Sequence, residues 1–243
     1  MMRRLMSLLI QRSTILKKRR QAWSNVLSEV VKRTDIPYII HPEWYETGFE
    51  CVENNHLLAA NTAQTGHSYR NRPMLHQLPI AHAASNDPLG RGFINLEPWY
   101  EGILGRFHGQ DQLYAYWVSM LAGTVSYCYG AHGIWNAGDG EFLSKWGKQD
   151  FHQALSLDTP RLIGLSHRAF LQYLNRPAQV VLEERDGQLV SIQRIFDESS
   201  ITFFPEIDKV TSPSPGSIWL PMEGKFTQVM PSSGQVVVFT NWE

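Results

Sequence analysis

A repeated pattern, a short apolar run followed by polar and aromatic residues, most constrains how this chain can fold. It occurs four times, with apolar runs at 36–40, 57–60, 92–94 and 124–127. Helical stretches lie between several of these runs, notably a proline-interrupted one at 70–84 and an amphipathic one at 110–122. Strands that alternate with helices at this spacing predict parallel βα units.

The residues that follow each predicted strand are the candidates for function. In a (β/α) barrel the loops after the strands gather on one face, and that face holds the active site. We therefore expect these loops to bring their side chains together. The predicted site residues are His41, Gln64, His67, Asn95, Glu97, Trp99, Tyr100, His132 and Trp135.

Glu97 is the strongest candidate for a catalytic carboxylate. It ends the predicted strand and precedes Pro98, whose missing N–H prevents the strand ladder from continuing. Hydrolysis of a glycosidic bond usually needs two carboxyl groups, one that protonates the leaving oxygen and one that acts as nucleophile or activates water. Glu43 and Glu101 are the other acids predicted on this face, and Glu43 is the runner-up.

Aromatic and imidazole side chains surround these acids in the sequence. Aromatic rings stack on the apolar faces of sugars, so we expect walls for a sugar ring from Trp44, Trp99, Tyr100 and Trp135. Three imidazoles can also bind zinc, and the candidates are His41, His67 and His132. No pair of them has the spacing of a helical zinc motif. We therefore predict hydrogen bonds to sugar hydroxyls rather than a metal site.

Composition excludes several other classes of protein. The 22 basic and 23 acidic residues give a net charge of -1, which provides no attraction for nucleic acid or an anionic membrane. Two cysteines far apart predict free thiols, and no apolar run approaches the length of a membrane span. Residues 1–20 contain seven basic residues and no acidic one, which predicts an irregular leader or a solvated helix start. A mitochondrial-type presequence is the weaker alternative, and the sequence leaves the localisation unknown.

The character of the chain changes after Pro177. Short β-type runs separated by turns predict a small antiparallel β domain, sandwich-like, over 177–243. The runs are at 179–183, 189–192, 200–204, 217–220 and 235–240. Residues 151–174 predict one or two helices that close the preceding barrel region, which we place at 21–176.

Three blocks of sequence, 64–67, 95–101 and 129–135, resemble the apiosidase-like glycoside hydrolases. The resemblance extends from about residue 20 to about residue 175. It implies a (β/α)8 barrel that acts on glycosides, often the side chains of plant cell-wall polysaccharides, without an organic cofactor. Relatives of this kind are plausible as secreted or periplasmic proteins.

The resemblance also implies which part of the barrel this chain contains. In similar barrels the acid/base carboxylate follows the fourth strand and the second carboxylate follows the seventh. If Glu97 follows the seventh strand, the chain holds strands five to eight, an α/β partial TIM barrel. We therefore expect an N-terminally truncated glycoside hydrolase that lacks its acid/base. The alternative is a non-catalytic carbohydrate-binding protein, dependent on a missing half-barrel or on self-association through open sheet edges. A metal-dependent hydrolase is less favoured.

Overall fold

The computed structural model describes residues 2–44, 46–173, 181–185, 187–194, 200–204 and 217–219. Its α-helices are α1 Met2–Val30, α2 Met74–Ala84, α3 Gly109–Leu121, α4 Phe151–Leu155 and α5 Thr159–Tyr173. Its strands are β1 Asn61–Gln64, β2 Phe93–Glu97, β3 Thr124–Tyr127, β4 Val181–Arg185, β5 Gln188–Arg194, β6 Ser200–Phe204 and β7 Ser217–Trp219. Short 3-10 turns lie at Asn55–Leu57, Tyr69–Asn71, Ile103–Gly105 and Ser144–Trp146.

Strands β1, β2 and β3 form a parallel sheet in that order. The crossovers are α2 and α3, so the predicted alternation of parallel strands and helices is confirmed for this part of the chain. Because the strands are parallel, Gln64 and Glu97 are paired at the carboxyl ends of β1 and β2. The segments that follow the strands begin at this end of the sheet.

The first predicted strand, at 36–40, is not a strand in the structure. This segment lies beside the residues that lead into β1, and the Ala59 N–H donates to the Tyr38 carbonyl at 2.7 Å. Pro37 has no N–H to donate, which weakens any ladder there. The Ile40 carbonyl accepts a hydrogen bond from the Thr62 hydroxyl instead.

The second predicted strand lies later than expected, at Asn61–Gln64 rather than at 57–60. A 3-10 turn occupies Asn55–Leu57, where the apolar run begins. The strand can start at a polar residue because the Asn61 Oδ1 accepts the N–H groups of Phe49 and Thr62, each at 3.0 Å. Burial of Asn61 is thereby compensated by hydrogen bonds.

Helix α3 is more deeply buried than an amphipathic helix would be. Every residue from 112 to 121 is buried, including polar Gln112 and Ser119. The helix packs on β3, and α2 and α5 both contact it. The Trp117 and Phe170 rings lie 6.2 Å apart across the α3 and α5 interface. This helix is therefore central to the core rather than a surface helix with a polar side.

The basic leader is the first part of α1 rather than an irregular segment. Further along the helix, Leu27 packs with Val52 and Leu58 in a second apolar cluster. No helix in the described part of the chain is long and apolar enough to cross a membrane. The segment 151–174, predicted as one or two helices, forms two, α4 and α5, and an Asp150 and Gln153 capping box begins α4.

The remaining strands form a second sheet in the order β4-β5-β6-β7. The β4-β5 and β5-β6 pairs are antiparallel as predicted, but β6-β7 is parallel. The predicted run at 235–240 lies outside the described residues. The described strands after residue 180 therefore make one mixed four-stranded sheet.

Candidate functional site

Glu97 lies at the centre of a hydrogen-bonded cluster at the end of β2. Its Oε1 is 2.8 Å from the His67 Nε2 and its Oε2 is 3.1 Å from the His41 Nε2. The Tyr100 hydroxyl also donates to the Glu97 carboxylate. The Glu97 side chain is 17% exposed, so it is partly shielded yet reachable from solvent. Residues from three separate segments therefore meet at one carboxylate.

The backbone after β1 places His67. The Thr65 N–H donates to the Glu97 carbonyl at 3.0 Å, and Gly66 then adopts a positive φ of 71°, which turns the chain toward the cluster. The His67 Nδ1 accepts the Tyr100 N–H at 3.4 Å. Its Nε2 therefore carries the proton that is donated to Glu97.

The pKa of Glu97 lies below the ordinary value of a glutamic acid. Burial acts to raise this pKa, but the hydrogen bonds from His67 and Tyr100 outweigh burial. Burial, together with the Glu97 charge, raises the pKa of Tyr100 well above its usual range. At neutral pH the cluster therefore holds an ionised carboxylate and a protonated tyrosine.

Trp99 does not face this cluster, contrary to the prediction that it lines a sugar site. It has 0% exposure and packs against Phe107 at 4.9 Å and Tyr114 at 6.4 Å between ring centroids. Its Nε1 donates to the Ser68 carbonyl at 3.2 Å. Trp99 is separated from Glu97 in the sequence by Pro98 alone. Because it is fully buried, Trp99 belongs to the core and not to the cluster around Glu97.

His132 is also buried rather than open to a ligand. It is 1% exposed, and its Nε2 donates to the Gly147 carbonyl at 2.7 Å. Its ring lies 5.8 Å from that of Trp135. Trp135 itself is 41% exposed and lies 6.2 Å from the Tyr100 ring, so it extends the cluster toward solvent. Trp135 therefore lies on the exposed side of the cluster, in contact with the buried ring of His132.

Gln64 and Asn95 support the cluster from within the sheet. The Gln64 Nε2 donates to the Pro42 carbonyl at 2.8 Å, which holds the segment carrying His41. Asn95 is buried and donates to the Thr65 hydroxyl at 3.4 Å. Both residues therefore lie beside the site, and the described contacts give them roles in positioning it.

Glu101 is a second carboxylate, but other groups already bind it. Tyr129 donates to its Oε2 at 2.6 Å and Thr159 donates to its Oε1 at 3.0 Å. The side chain is nearly fully buried, while Glu43 is exposed. Sequence reasoning gave no role to Tyr129 or Thr159. Tyr129 is the first residue of the block 129–135, so the sequence held a signal for it. Thr159 lies at the start of α5, and its contact with Glu101 depends on the tertiary fold.

The three histidines do not form a zinc site. His41 and His67 both contact Glu97, whereas the Nε2 of His132 is bonded to a backbone carbonyl. Within the described ranges, no group of three His, Cys, Asp or Glu side chains is arranged to hold a metal ion. Cys51 and Cys128 are free thiols, as predicted.

The parallel sheet with its helical crossovers makes this an α/β protein, and a hydrogen-bonded carboxylate lies at the end of its middle strand. The model of one family, described as the apiosidase-like catalytic domain, matches residues 9–174. The chain belongs to this family.

One solved structure supports the α/β fold. A glycoside hydrolase family 5 protein from Bacteroides vulgatus is 19% identical with a TM-score of 0.51; the match covers 64% of this chain and 40% of that one. A structure described as a glycoside hydrolase is 17% identical with a TM-score of 0.49, covering 64% and 41%. The chain thus spans about two fifths of the solved structures it matches. No curated protein sequence matches it.

Proposed function

We propose that this protein takes part in the hydrolysis of glycosidic bonds in plant-type polysaccharide side chains, with Glu97 as the ionised carboxylate of the catalytic pair. The observation that carries the proposal is that His67 and Tyr100 hydrogen-bond Glu97, while the His41 Nε2 lies 3.1 Å from its Oε2. Burial of an acid normally favours its neutral form. Here the donors keep it charged, as a nucleophile or a general base requires.

The three parallel strands correspond, in this proposal, to the later strands of a (β/α)8 barrel. Glu97 then lies at the mouth, where its charge stabilises the positive charge that develops on the sugar ring. Trp135 and Trp44, both exposed, provide aromatic faces beside it. His41, more exposed than His67, is placed to donate to a sugar hydroxyl.

The second carboxyl group must protonate the leaving oxygen. Glu101 is an unsuitable donor because Tyr129 and Thr159 bind both of its oxygens in a buried position. Among the three acids predicted on this face, exposed Glu43 remains a candidate. The group that supplies the proton therefore decides whether this chain alone turns over substrate.

Turnover of aryl glycosides and pectic oligosaccharides tests the proposal. We expect Glu97→Gln, which keeps the shape but loses the charge, to abolish any turnover, with a loss of about three orders of magnitude or more. Glu29→Gln, on an exposed part of α1, is the matched control and should change nothing. Turnover that survives Glu97→Gln would contradict the role of Glu97. If Glu43→Gln loses turnover of the oligosaccharides but keeps turnover of the aryl glycosides, Glu43 is identified as the acid.

Binding without turnover is the second candidate function, and the exposed indoles of Trp44 and Trp135 favour it. Calorimetry with the same oligosaccharides separates the two candidates. We expect Trp135→Ala to weaken binding, since stacking on an aromatic ring contributes about 1 kcal/mol. Glu97→Gln should retain binding. An oligosaccharide that binds equally to Trp135→Ala would contradict a wall at this position.

A further inference from the structure

A second hydrogen-bonded cluster surrounds the buried carboxylate of Glu101. Glu101 is 4% exposed, and the Tyr129 and Thr159 hydroxyls donate to its two oxygens at 2.6 and 3.0 Å. Burial of a carboxylate costs free energy unless its oxygens are hydrogen-bonded. The two hydroxyls come from separate parts of the chain, one from the segment after β3 and one from the first residue of α5. The carboxylate therefore joins three segments.

The backbone of Glu101 is bonded to the same segment after β3. Its N–H donates to the Gly130 carbonyl at 2.9 Å, and its carbonyl accepts the His132 N–H at 2.8 Å. These two bonds form a parallel bridge between Glu101 and Ala131. The hydroxyl of Tyr129 adds a side-chain bond to this pairing. Backbone and side chain of Glu101 therefore fix the segment after β3 together.

The ring of Tyr100 packs on this segment. A Cβ at Gly130 would lie 2.3 Å from two atoms of the Tyr100 ring, so the ring occupies the space that a side chain would need. The Tyr100 hydroxyl in turn donates to the Glu97 carboxylate. The ring of His67 lies 4.8 Å away from that of Tyr100. A shift of the Gly130 backbone would therefore move the Tyr100 hydroxyl relative to Glu97.

We propose that Glu101 is a positioning residue, which holds the Tyr100 hydroxyl on Glu97. Its carboxylate fixes Tyr129 and the adjacent Gly130 at the place where the Tyr100 ring packs. Glu101 takes no direct part in the chemistry. Its importance for catalysis rests on the function proposed above, but the contact that it controls exists with or without turnover.

The geometry and the charge of Glu101 predict opposite effects on Glu97. A hydrogen bond to the ionised form lowers the pKa of an acid, so loss of the Tyr100 bond raises the pKa of Glu97. A nearby negative charge favours the neutral form, so removal of the Glu101 charge alone would lower that pKa. The direction of the change therefore separates positioning from a direct electrostatic effect.

Carboxyl-carbon NMR of protein containing isotope-labelled glutamate measures the titration of Glu97, whose signal is the one missing from Glu97→Gln. We expect Glu101→Ala to raise the pKa of Glu97 about as much as Tyr100→Phe does. The double variant should raise this pKa no further, because both substitutions act on the same contact. Glu101→Gln, whose amide can accept from Tyr129 and donate to Thr159, should keep the pKa near that of the unaltered protein.

Milder substitutions keep the test decisive if circular dichroism shows that Glu101→Ala does not fold. Tyr129→Phe removes one of the two hydroxyls and should also raise the pKa of Glu97. Thr159→Val is the matched control, because it removes a hydroxyl from the same carboxylate but leaves the bond to Tyr129, and it should change that pKa less.

An unchanged or lowered pKa of Glu97 in Glu101→Ala, or in Tyr129→Phe where the alanine variant does not fold, would overturn the proposal. Additive rises in the double variant with Tyr100→Phe would overturn it too. If the pKa rises as expected but the unaltered protein hydrolyses no glycoside, the positioning role holds and the proposed function fails. If turnover requires Glu97 while its pKa ignores Glu101, the proposed function holds and the positioning role fails.

Discussion

Replacement of Trp99 by alanine tests whether this residue belongs to the core or to the ligand site. The indole is fully buried, stacks on Phe107 and Tyr114, and donates to the Ser68 carbonyl. Removal of a buried tryptophan costs about 3–5 kcal/mol, and the unsatisfied Ser68 carbonyl adds about 1 kcal/mol. This is a large share of the roughly 5–15 kcal/mol that stabilises a domain.

Urea unfolding followed by circular dichroism measures the effect. Trp99→Phe keeps most of the ring packing but loses the N–H, so we expect a smaller cost of about 1–2 kcal/mol. The control is Trp135→Ala, where an exposed ring predicts a cost of about 1 kcal/mol or less. An equal loss of stability in the Trp99→Ala and Trp135→Ala variants would refute the assignment of Trp99 to the core.

Three further predictions concern the cluster and its surroundings. A Cβ on Gly130 would lie 2.3 Å from the Tyr100 ring, so Gly130→Ala should displace that ring and reduce activity or binding without unfolding the protein, as circular dichroism would show. Because the folded pKa of Glu97 is lowered, its ionised form stabilises the protein above about pH 4.5, and this contribution is lost as the pH falls through the folded pKa. Glu97→Gln should therefore flatten the acid side of a plot of urea midpoint against pH. Burial raises the pKa of Cys51 to about 12, so this thiol should react with an aromatic disulfide only after urea is added, whereas fast reaction of folded protein would contradict its burial.

The parallel part of the fold was predictable because its signals are local. The runs before Glu97 and Tyr127 are apolar, a proline ends the first of them, and helices of suitable length intervene. Convergence at the sheet edge then follows from parallel order, which brings His67 and Glu97 together. The segment at 36–40 has the same apolar character, but Pro37 and the competing bonds of Thr62 prevent a ladder.

The roles of the aromatic and imidazole residues were not predictable from the sequence. Trp99 and Tyr100 are adjacent and both follow a strand, yet one is in the core and the other contacts Glu97. The difference depends on Phe107 and Tyr114, which approach from a later turn and helix. Likewise His132 has its Nε2 bonded to Gly147, fifteen residues further on. Such contacts are set by tertiary packing, which residue type and spacing do not encode.

The protonation state of Glu97 restricts the chemistry that the cluster can perform. A general acid needs a carboxyl group whose neutral form is favoured, as burial in an apolar pocket provides. Glu97 is partly buried, but it accepts from His67 and Tyr100 and faces His41, and these contacts favour the charged form. Substitution of His67 by phenylalanine removes the shorter of the two imidazole contacts and should raise the pKa of Glu97. If catalysis requires the ionised form, the acid limb of the pH profile must move to higher pH in that variant. An unchanged limb would mean that another group, rather than Glu97, sets the ionisation on which turnover depends.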